Sequence, residues 1–528
     1  MSSTSQRWRS AALWLLPVLL LVLAALRPLA LPDEGRYAEV GRWMLATGDW
    51  LTPRLDGIPF FHKPPLLYWL EASVMAVLGV TPWAARLVVA LHAMLMWGML
   101  YVCARHIAGA QVASRAAWML GSSLAFLVGG QYVNHDTMVA TWMGVAIWAF
   151  ARAFMHDDGV HAGWARLGFV ACALGVITKG LIGLLLPGLV LFVWIAWTVQ
   201  WRKILQLPWV SGLLLFCAIA LPWFVLAARE YPDMLAYMFG KHQFGRYTAT
   251  NFNNGRPWWF YGLAITVLLF PWVLMVAADG VDRLRTWRQA HAPVNGMDAR
   301  WVSLCWIWVL AILGFFSIPN SKLIGYALPV MPPLALLAAL WWQKKVVALP
   351  WAKTLMVVLV GGNIAIAIVA NHEASKYTLL RSSADVARVL ACERQANDVV
   401  AAVDDYPYDL PFYAQLTQPV EAIQDWQKLR QTAGDNWRRE LFEGADFDVQ
   451  AGDKALLPMS RLTALQHLPH AWVLAPNDSA TLNAQHHDGF VVAHVGHAWT
   501  LYRSALTPKS PETAEQKSLR GCEDQSKK

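Results

Sequence analysis

The sequence predicts a polytopic α-helical membrane protein with a small C-terminal α/β soluble domain. Two observations carry this. The 528 residues are 57% apolar and 15% charged, where a soluble protein carries about 25% charged residues. Thirty tryptophans and a mean hydropathy of +0.36 point the same way. The second observation is the placement of charge. Residues 371–528 hold 37 of the 78 charged side chains, 16 basic and 21 acidic, whereas residues 1–370 hold 27 basic and 14 acidic. The first region therefore reads as membrane and the last as soluble. The formal net charge of +8 is spread between apolar runs instead of gathered on a soluble face, which excludes a nucleic-acid partner.

Taken in order, Arg7 and Arg9 precede an apolar run over 11–31, long enough to be an uncleaved first helix with its N-terminus in the cytoplasm. Further apolar segments lie near 84–104, 112–130, 137–154, 165–179, 182–200, 207–228, 258–278, 301–317, 323–341 and 350–370, which makes eleven. The segment 66–80 is short and carries Glu71. Left as an interfacial helix, it places Arg105/Arg115, Arg202/Lys203, Arg283/Arg285/Arg288 and Lys344/Lys345 inside, as the positive-inside rule prefers. The weak boundary around Thr178-Lys179-Gly180 leaves a range of eleven to thirteen transmembrane helices.

The expected division is a membrane domain over 1–370 with an outer loop at 32–83, an α/β domain over 371–505, and a disordered tail over 506–528, rich in Lys, Glu, Ser and Pro. Within the soluble domain 398–405, 470–476 and 489–495 read as strands, and 384–395 and 422–431 as helices. This domain falls outside, in the periplasm for a Gram-negative source. Cys103, Cys172, Cys217 and Cys305 lie in apolar segments and read as small buried hydrophobes; a Cys392–Cys522 disulfide is open.

Acidic residues are scarce in the membrane region, and five of them, Asp33, Glu34, Glu39, Asp49 and Asp56, fall in the loop after the first helix. Asp33-Glu34-Gly-Arg36-Tyr37-Ala-Glu39, followed by Phe61-His62-Lys63-Pro64-Pro65, suits a charged substrate presented from the lipid; the same acids also fit a hydrated loop paired with neighbouring arginines. Asp136, in Asn134-His-Asp136, begins a helix at the outer interface, as an ionised carboxylate or as the helix cap. Lys241-His242-x-x-x-Arg246, close to Trp258 and Trp259, forms a basic cluster at headgroup level. It suits a lipid phosphate or anionic lipid in general. Lys322 and Tyr326 lie in an outer turn entering a proline-broken helix, where a lysine also reads as snorkelling.

Together these stretches resemble the lipid-linked-sugar glycosyltransferases of the GT-C type, and among them the ArnT-like aminoarabinose transferases of glycosyltransferase family 83, relatives of the protein O-mannosyltransferases. The matching residues are Asp33-Glu34-x-Arg36-Tyr37-Ala-Glu39, Phe61-x-Lys63-Pro-Pro, Asn134-x-Asp136, Thr178-Lys179-Gly180, Lys241-His242-x-x-x-Arg246 and Ser321-Lys322-x-x-x-Tyr326-x-x-Pro329, within roughly residues 10–345.

The resemblance implies a GT-C fold in the bacterial inner membrane, a sugar donor on undecaprenyl phosphate and lipid A as acceptor. It makes Asp33 the catalytic carboxylate and Asp136 the second acid, with Glu34 beside them. Arg36, Lys63 and Arg246 would hold the departing phosphate, and Tyr37, Lys241, Lys322 and Tyr326 complete the substrate site. No cofactor is required. The family often has an acid before the Lys-Pro-Pro lysine, where this chain has His62; His62 with His242 offers two ligands for Zn²⁺, short of a closed site. Transfer to protein Ser/Thr or to another glycan is the alternative. A transporter fits poorly because the charges cluster on one side of the bilayer, and eleven spans exceed what an anchor for a receptor needs.

Overall fold

The apolar segments become helices, in a computed structural model that describes residues 12–156, 158–245, 253–289, 297–484 and 489–507. Among the described residues, seven helices are long and apolar enough to cross a membrane, and four more apolar helices are shorter. The strict count falls below eleven for local reasons. Pro82–Gly121 is one 40-residue run that holds two spans: Gly109 breaks it at φ 80°, a backbone region that favours glycine. The Trp97 indole then donates to the carbonyl of Ala117 at 2.8 Å, although a straight helix would separate those residues by about 30 Å. Leu15–Ala25 and Ile182–Trp197 are short, and the segment expected at 258–278 divides into Phe260–Leu269 and Val273–Gln289.

The chain divides into two compact units: Met1–Leu26, Lys63–Leu67 and Arg86–His372 form the first, and Arg27–His62, Tyr68–Ala85 and Glu373–Lys528 the second. The loop attached to the membrane domain in the sequence reading thus belongs, for the most part, with the C-terminal residues. In the first unit the central helix is His135–Phe154, 89% of whose apolar window is enclosed, against 28% for Trp209–Glu230. Trp148 packs on Trp301 and Trp308 with ring centroids 5.7 and 5.4 Å apart. The enclosed helix carries Asp136 in its first turn.

The second unit opens with the helix Asp33–Thr47, closed by Gly48 at φ 73°. A two-residue hairpin follows, β1 (Arg54–Leu55) against β2 (Ile58–Pro59). The helix Leu66–Leu78 is 13 residues long, about 20 Å, too short for a hydrocarbon core of about 30 Å; it fits the interfacial role. The C-terminal residues form a six-stranded sheet in the order β5-β4-β3-β6-β8-β7. Here β3 is Val399–Val403, β4 Glu421–Ile423, β5 Leu456–Leu457, β6 Ala471–Pro476, β7 Phe490–Val495 and β8 Trp499–Ser504. The first four are parallel, with Val400 level with Trp472 and Ala402 with Ala422. The last two pair antiparallel. Central β6 is buried along nearly all its length, whereas edge strand β7 is mostly exposed, the burial expected of an inner and an outer strand. Cys103, Cys172, Cys217 and Cys305 are free thiols, and Cys392 is disulfide-bonded.

Candidate active site

In the second unit the chemistry gathers at the head of the helix Asp33–Thr47. Its first turn carries Asp33 and Glu34, where the helix dipole favours negative charge. The two acids have different fates. Glu34 is fully buried; Arg27 grips it bidentately, with one contact at 3.0 Å, and the Ala30 amide donates to it at 2.8 Å. The expectation that Glu34 works beside Asp33 is therefore corrected: Glu34 is enclosed and fastens the helix start. Asp33 keeps 38% of its side-chain surface and is the acid of that turn open to a substrate.

Asp33 accepts from Arg36 Nη2 at 2.6 Å. The other amine of Arg36, Nη1, donates to Glu440, from the helix Trp437–Ala445. The guanidinium also reaches the Tyr37 hydroxyl at 3.2 Å and lies 4.8 Å from that ring. Burial works against its charge, but Glu440, Tyr37 and Asp33 outweigh that and hold its pKa above the usual arginine value. Arg36, expected to hold the donor phosphate, instead has both terminal amines on carboxylates. Tyr37 is 8% exposed, packed against Phe60 and Tyr68, so it braces Arg36 from behind. His62 stacks on Phe60, and its Nδ1 lies 3.5 Å from the second oxygen of Glu440.

Three further acids of this unit, Glu39, Asp56 and Glu71, are fully buried. Glu39 and Arg42 form a two-point pair at 2.6 and 2.7 Å, and Arg42 also donates to the Leu416 carbonyl at 2.7 Å. Asp56 accepts from the Val420 amide at 2.8 Å, and burial pushes its carboxyl up to about 8. Glu71 is fully buried with neither oxygen hydrogen-bonded among the described residues. Burial and the charge of Glu34 push it well above the carboxylate range.

The first unit has its own charged centre. Asn134 caps the helix His135–Phe154 through the Asp136 amide at 2.8 Å. Asp136 is thereby released from capping, and its carboxylate takes the Lys179 ammonium. Lys179 also lies 4.6 Å from the Tyr326 ring, which stacks on Phe316. Asp136 lies against the backbone at Gly325, where an added Cβ would come within 2.0 Å of the carboxylate. Lys179 stands in the Thr178-Lys179-Gly180 motif, and nothing local in the sequence assigns it this role, because Asp136 lies 43 residues away.

The next residue, Gly180, has φ 87°, and a side chain there would meet Gln243. Gln243 accepts from the Leu181 amide at 3.0 Å. This contact docks the π-helical stretch Ala236–Gly245, where Lys241 lies 5.5 Å from the Tyr237 ring and His242 packs edge-on against it. Lys322 departs from its expected substrate role. It is 3% exposed, and its ammonium donates to the carbonyls of Pro319 and Arg256 at 2.5 and 3.1 Å. It staples the segment at 253–256 to the one at 319–322. Lys63 is half-buried, and Arg246 lies outside the described residues. His62 and His242 belong to different units.

A model of the dolichyl-phosphate-mannose-protein mannosyltransferase family matches residues 26–238. The undecaprenyl phosphate-α-4-amino-4-deoxy-L-arabinose arabinosyl transferase 2 of Pseudomonas fluorescens Pf0-1 is 32% identical over 335 residues, 61% of this chain and 59% of that protein. The arabinosyl transferase 1 of Sodalis glossinidius is 33% identical over 64% of this chain and 60% of its own length. The chain thus matches about three-fifths of the length of these relatives. Among solved structures, ArnT from Cupriavidus metallidurans bound to undecaprenyl phosphate aligns with 96% of this chain and all of its own, at 24% identity and a TM-score of 0.78. The Archaeoglobus fulgidus oligosaccharyltransferase in its apo form aligns with 90% of this chain and 70% of its own, at 12% identity and a TM-score of 0.52. The motif resemblance is thereby borne out, and the fold is the GT-C fold of a multi-span membrane protein.

Proposed function

We propose that this chain is a membrane glycosyltransferase that moves a sugar from undecaprenyl phosphate to lipid A at the outer face of the bacterial inner membrane. The favoured sugar is 4-amino-4-deoxy-L-arabinose or another aminosugar. One observation carries the reading. Asp33, a partly exposed carboxylate held on a fixed guanidinium, lies inside the stretch that the sugar-transferase family model matches. The likeness to the named arabinosyl transferases supplies the donor and the sugar.

The chemistry follows from charge. As the sugar leaves, the phosphodiester becomes a monoester and gains negative charge, so cations at the membrane surface act more on the transition state than on the bound donor. Lys63, Lys241 and Arg246 are assigned that task; Arg36, already held by two carboxylates, positions Asp33 instead. If the acceptor is a hydroxyl, Asp33 takes its proton; if it is a lipid A phosphate, already ionised, Asp33 orients it. Asp136, fixed by Lys179, is the second acid.

A divalent metal such as Zn²⁺ is part of the proposal without being required. His62, with Glu440 beside its Nδ1, has the carboxylate neighbour that orients a metal-ligating histidine, and His242 is carried from the sequence as the second candidate ligand. Bound metal would add positive charge for the departing phosphate. The unit built on residues 373–507 is placed in the periplasm.

The test is mass spectrometry of lipid A from cells with and without this protein. A mass difference of an aminopentose or a hexosamine supports donor and acceptor together. Unchanged lipid A, with the sugar found on protein or another glycan, overturns the acceptor assignment. The protein-acceptor outcome is the one that the mannosyltransferase family model would favour.

A further inference from the structure

The C-terminal residues reach the head of the helix Asp33–Thr47 at one charged side chain. Glu440 lies 404 residues away in sequence, yet it takes Nη1 of Arg36 while Nη2 of the same guanidinium holds Asp33. Arg36 is 9% exposed, and its Nε has no hydrogen-bond partner among the described residues. The orientation of this planar group therefore rests on its two terminal amines. With Glu440 on one amine, the other is aimed at Asp33. Guanidinium geometry makes such a two-sided hold directional in a way that an ammonium would not be.

Several local features place Glu440 there. Asn436 caps its helix, accepting from the Arg438 and Arg439 amides at 3.0 and 3.3 Å. Arg438 ties the first turn to Asp405 at 2.9 Å, in the loop that follows β3. One turn beyond Glu440, Gly444 lies so close to hairpin strand β2 that an added Cβ would come within 2.4 Å of the Pro59 carbonyl. On the other flank, the backbone of Tyr408 lies 3.2 Å from where a side chain at Gly35 would stand. The C-terminal residues thus bracket the turn that carries Asp33 and Arg36.

We propose that Glu440 is a positioning residue for the transfer reaction, fixing Arg36 and, through it, the carboxylate of Asp33. This rests on the function proposed above. The charge balance explains why a carboxylate is needed. With Glu440 present, one guanidinium serves two carboxylates, so Arg36 neutralises Asp33 less than a guanidinium of its own would. With a neutral side chain at 440, Nη1 loses its charged partner and is held more weakly, so Asp33 is both more strongly neutralised and less firmly fixed.

The test is steady-state transfer by the full-length protein in detergent or nanodiscs, with undecaprenyl-phosphate aminoarabinose and lipid A. Glu440→Gln keeps the shape and removes the charge. It is expected to lower kcat about 10- to 100-fold, the scale of a misplaced catalytic group, with KM for the donor changed less than threefold. Glu440→Asp, which keeps the charge, is expected to recover part of kcat. In an Arg36→Gln background the second substitution should cost nothing further, because Glu440 acts through Arg36.

Unchanged kcat in Glu440→Gln, a loss carried by donor KM, or an equal further loss in the Arg36→Gln background would each overturn the proposal. That last arm separates action through Arg36 from action through His62. A loss that merely tracks a lowered thermal midpoint and a smaller folded fraction would reduce Glu440 to a structural contact and also overturns it. If the unaltered protein transfers no sugar, the functional reading falls and takes this proposal with it; if it does transfer, a failure at Glu440 leaves that reading standing.

Discussion

Removing one member of the Asp136–Lys179 pair should destabilise the membrane unit, and removing both should restore much of what was lost. Both side chains are about nine-tenths buried, at 11% and 10% exposure. A lone charge left in such a place costs about 3–5 kcal/mol. Two features lower that figure here. In Asp136→Asn the ammonium still lies on the Tyr326 ring, worth about 1–2 kcal/mol. In Lys179→Met the stranded carboxylate still sits in the first turn of a helix, worth up to about 2 kcal/mol. Each single substitution should therefore cost roughly 2–4 kcal/mol.

At about 2 °C per kcal/mol for a unit of this size, the thermal midpoint in nanodiscs should fall by roughly 4–8 °C. Capping does not confuse the comparison, because the cap is Asn134. The double variant Asp136→Asn, Lys179→Met buries two neutral groups and should melt within about 1–2 kcal/mol of the unaltered protein, against about 6 kcal/mol for the two singles added, a coupling of roughly 4–5 kcal/mol. Its transfer activity should stay low, since stability returns without the acid. Asp136→Asn melting within about 0.5 kcal/mol of the unaltered protein would refute the buried pair, as would a double variant no more stable than the sum of the singles.

Asp33→Asn should abolish transfer by about 10²- to 10⁴-fold, the scale of general acid–base catalysis, while the midpoint moves little, because Asp33 is partly exposed and Arg36 keeps Glu440; substantial activity would sink the assigned role. Asp56 tests pH linkage. Its carboxyl is raised from an ordinary 3.8 to about 8, so the folded chain holds a proton that the unfolded chain releases. Its contribution to stability is intact below pH 4 and lost as pH rises to 8, by at most about 1.4 kcal/mol per unit. Asp56→Asn keeps an acceptor for Val420 and tolerates φ 55°; its midpoint should match at pH 4 and exceed the parent's increasingly up to pH 8, and a difference flat with pH would refute this. Thiol labelling of cysteines placed at Gly255 and Gln289 in spheroplasts should modify the first alone from outside, and the reverse would overturn the orientation.

The spans were legible because membrane solvation selects composition, which is local: each of the eleven apolar segments contains a helix. Sheet order was less so. Strands β3, β6 and β7 showed as apolar runs of five or six residues, but β4 and β5 have three and two, too few for any period to appear. At the candidate site, scarcity named the acids and burial sorted them. Of five acids within 24 residues, Glu34, Glu39 and Asp56 are fully buried, while Asp33 and Asp49 keep more than a third of their side-chain surface. Asp49 spends its carboxylate on the amides of Leu51 and Thr52, which leaves Asp33.

Part of that sorting was within reach of the sequence. Two acids after Pro32 and a glycine at position 48 are start and stop signals for a helix. Once Asp33–Thr47 is read as helical, the spacing of three puts Glu39 beside Arg42 and Asp33 beside Arg36 on its surface. The partner of Arg36 at position 440, and that of Lys179 at position 136, were out of reach, because no local period connects residues that only tertiary packing brings together. Charges in a membrane or a core must nonetheless find partners. A sequence reading of such a protein should therefore pair its few acids and bases by helix spacing first. Those left over, here Asp136, Lys179, Glu440 and the second amine of Arg36, are the ones that tertiary structure must join.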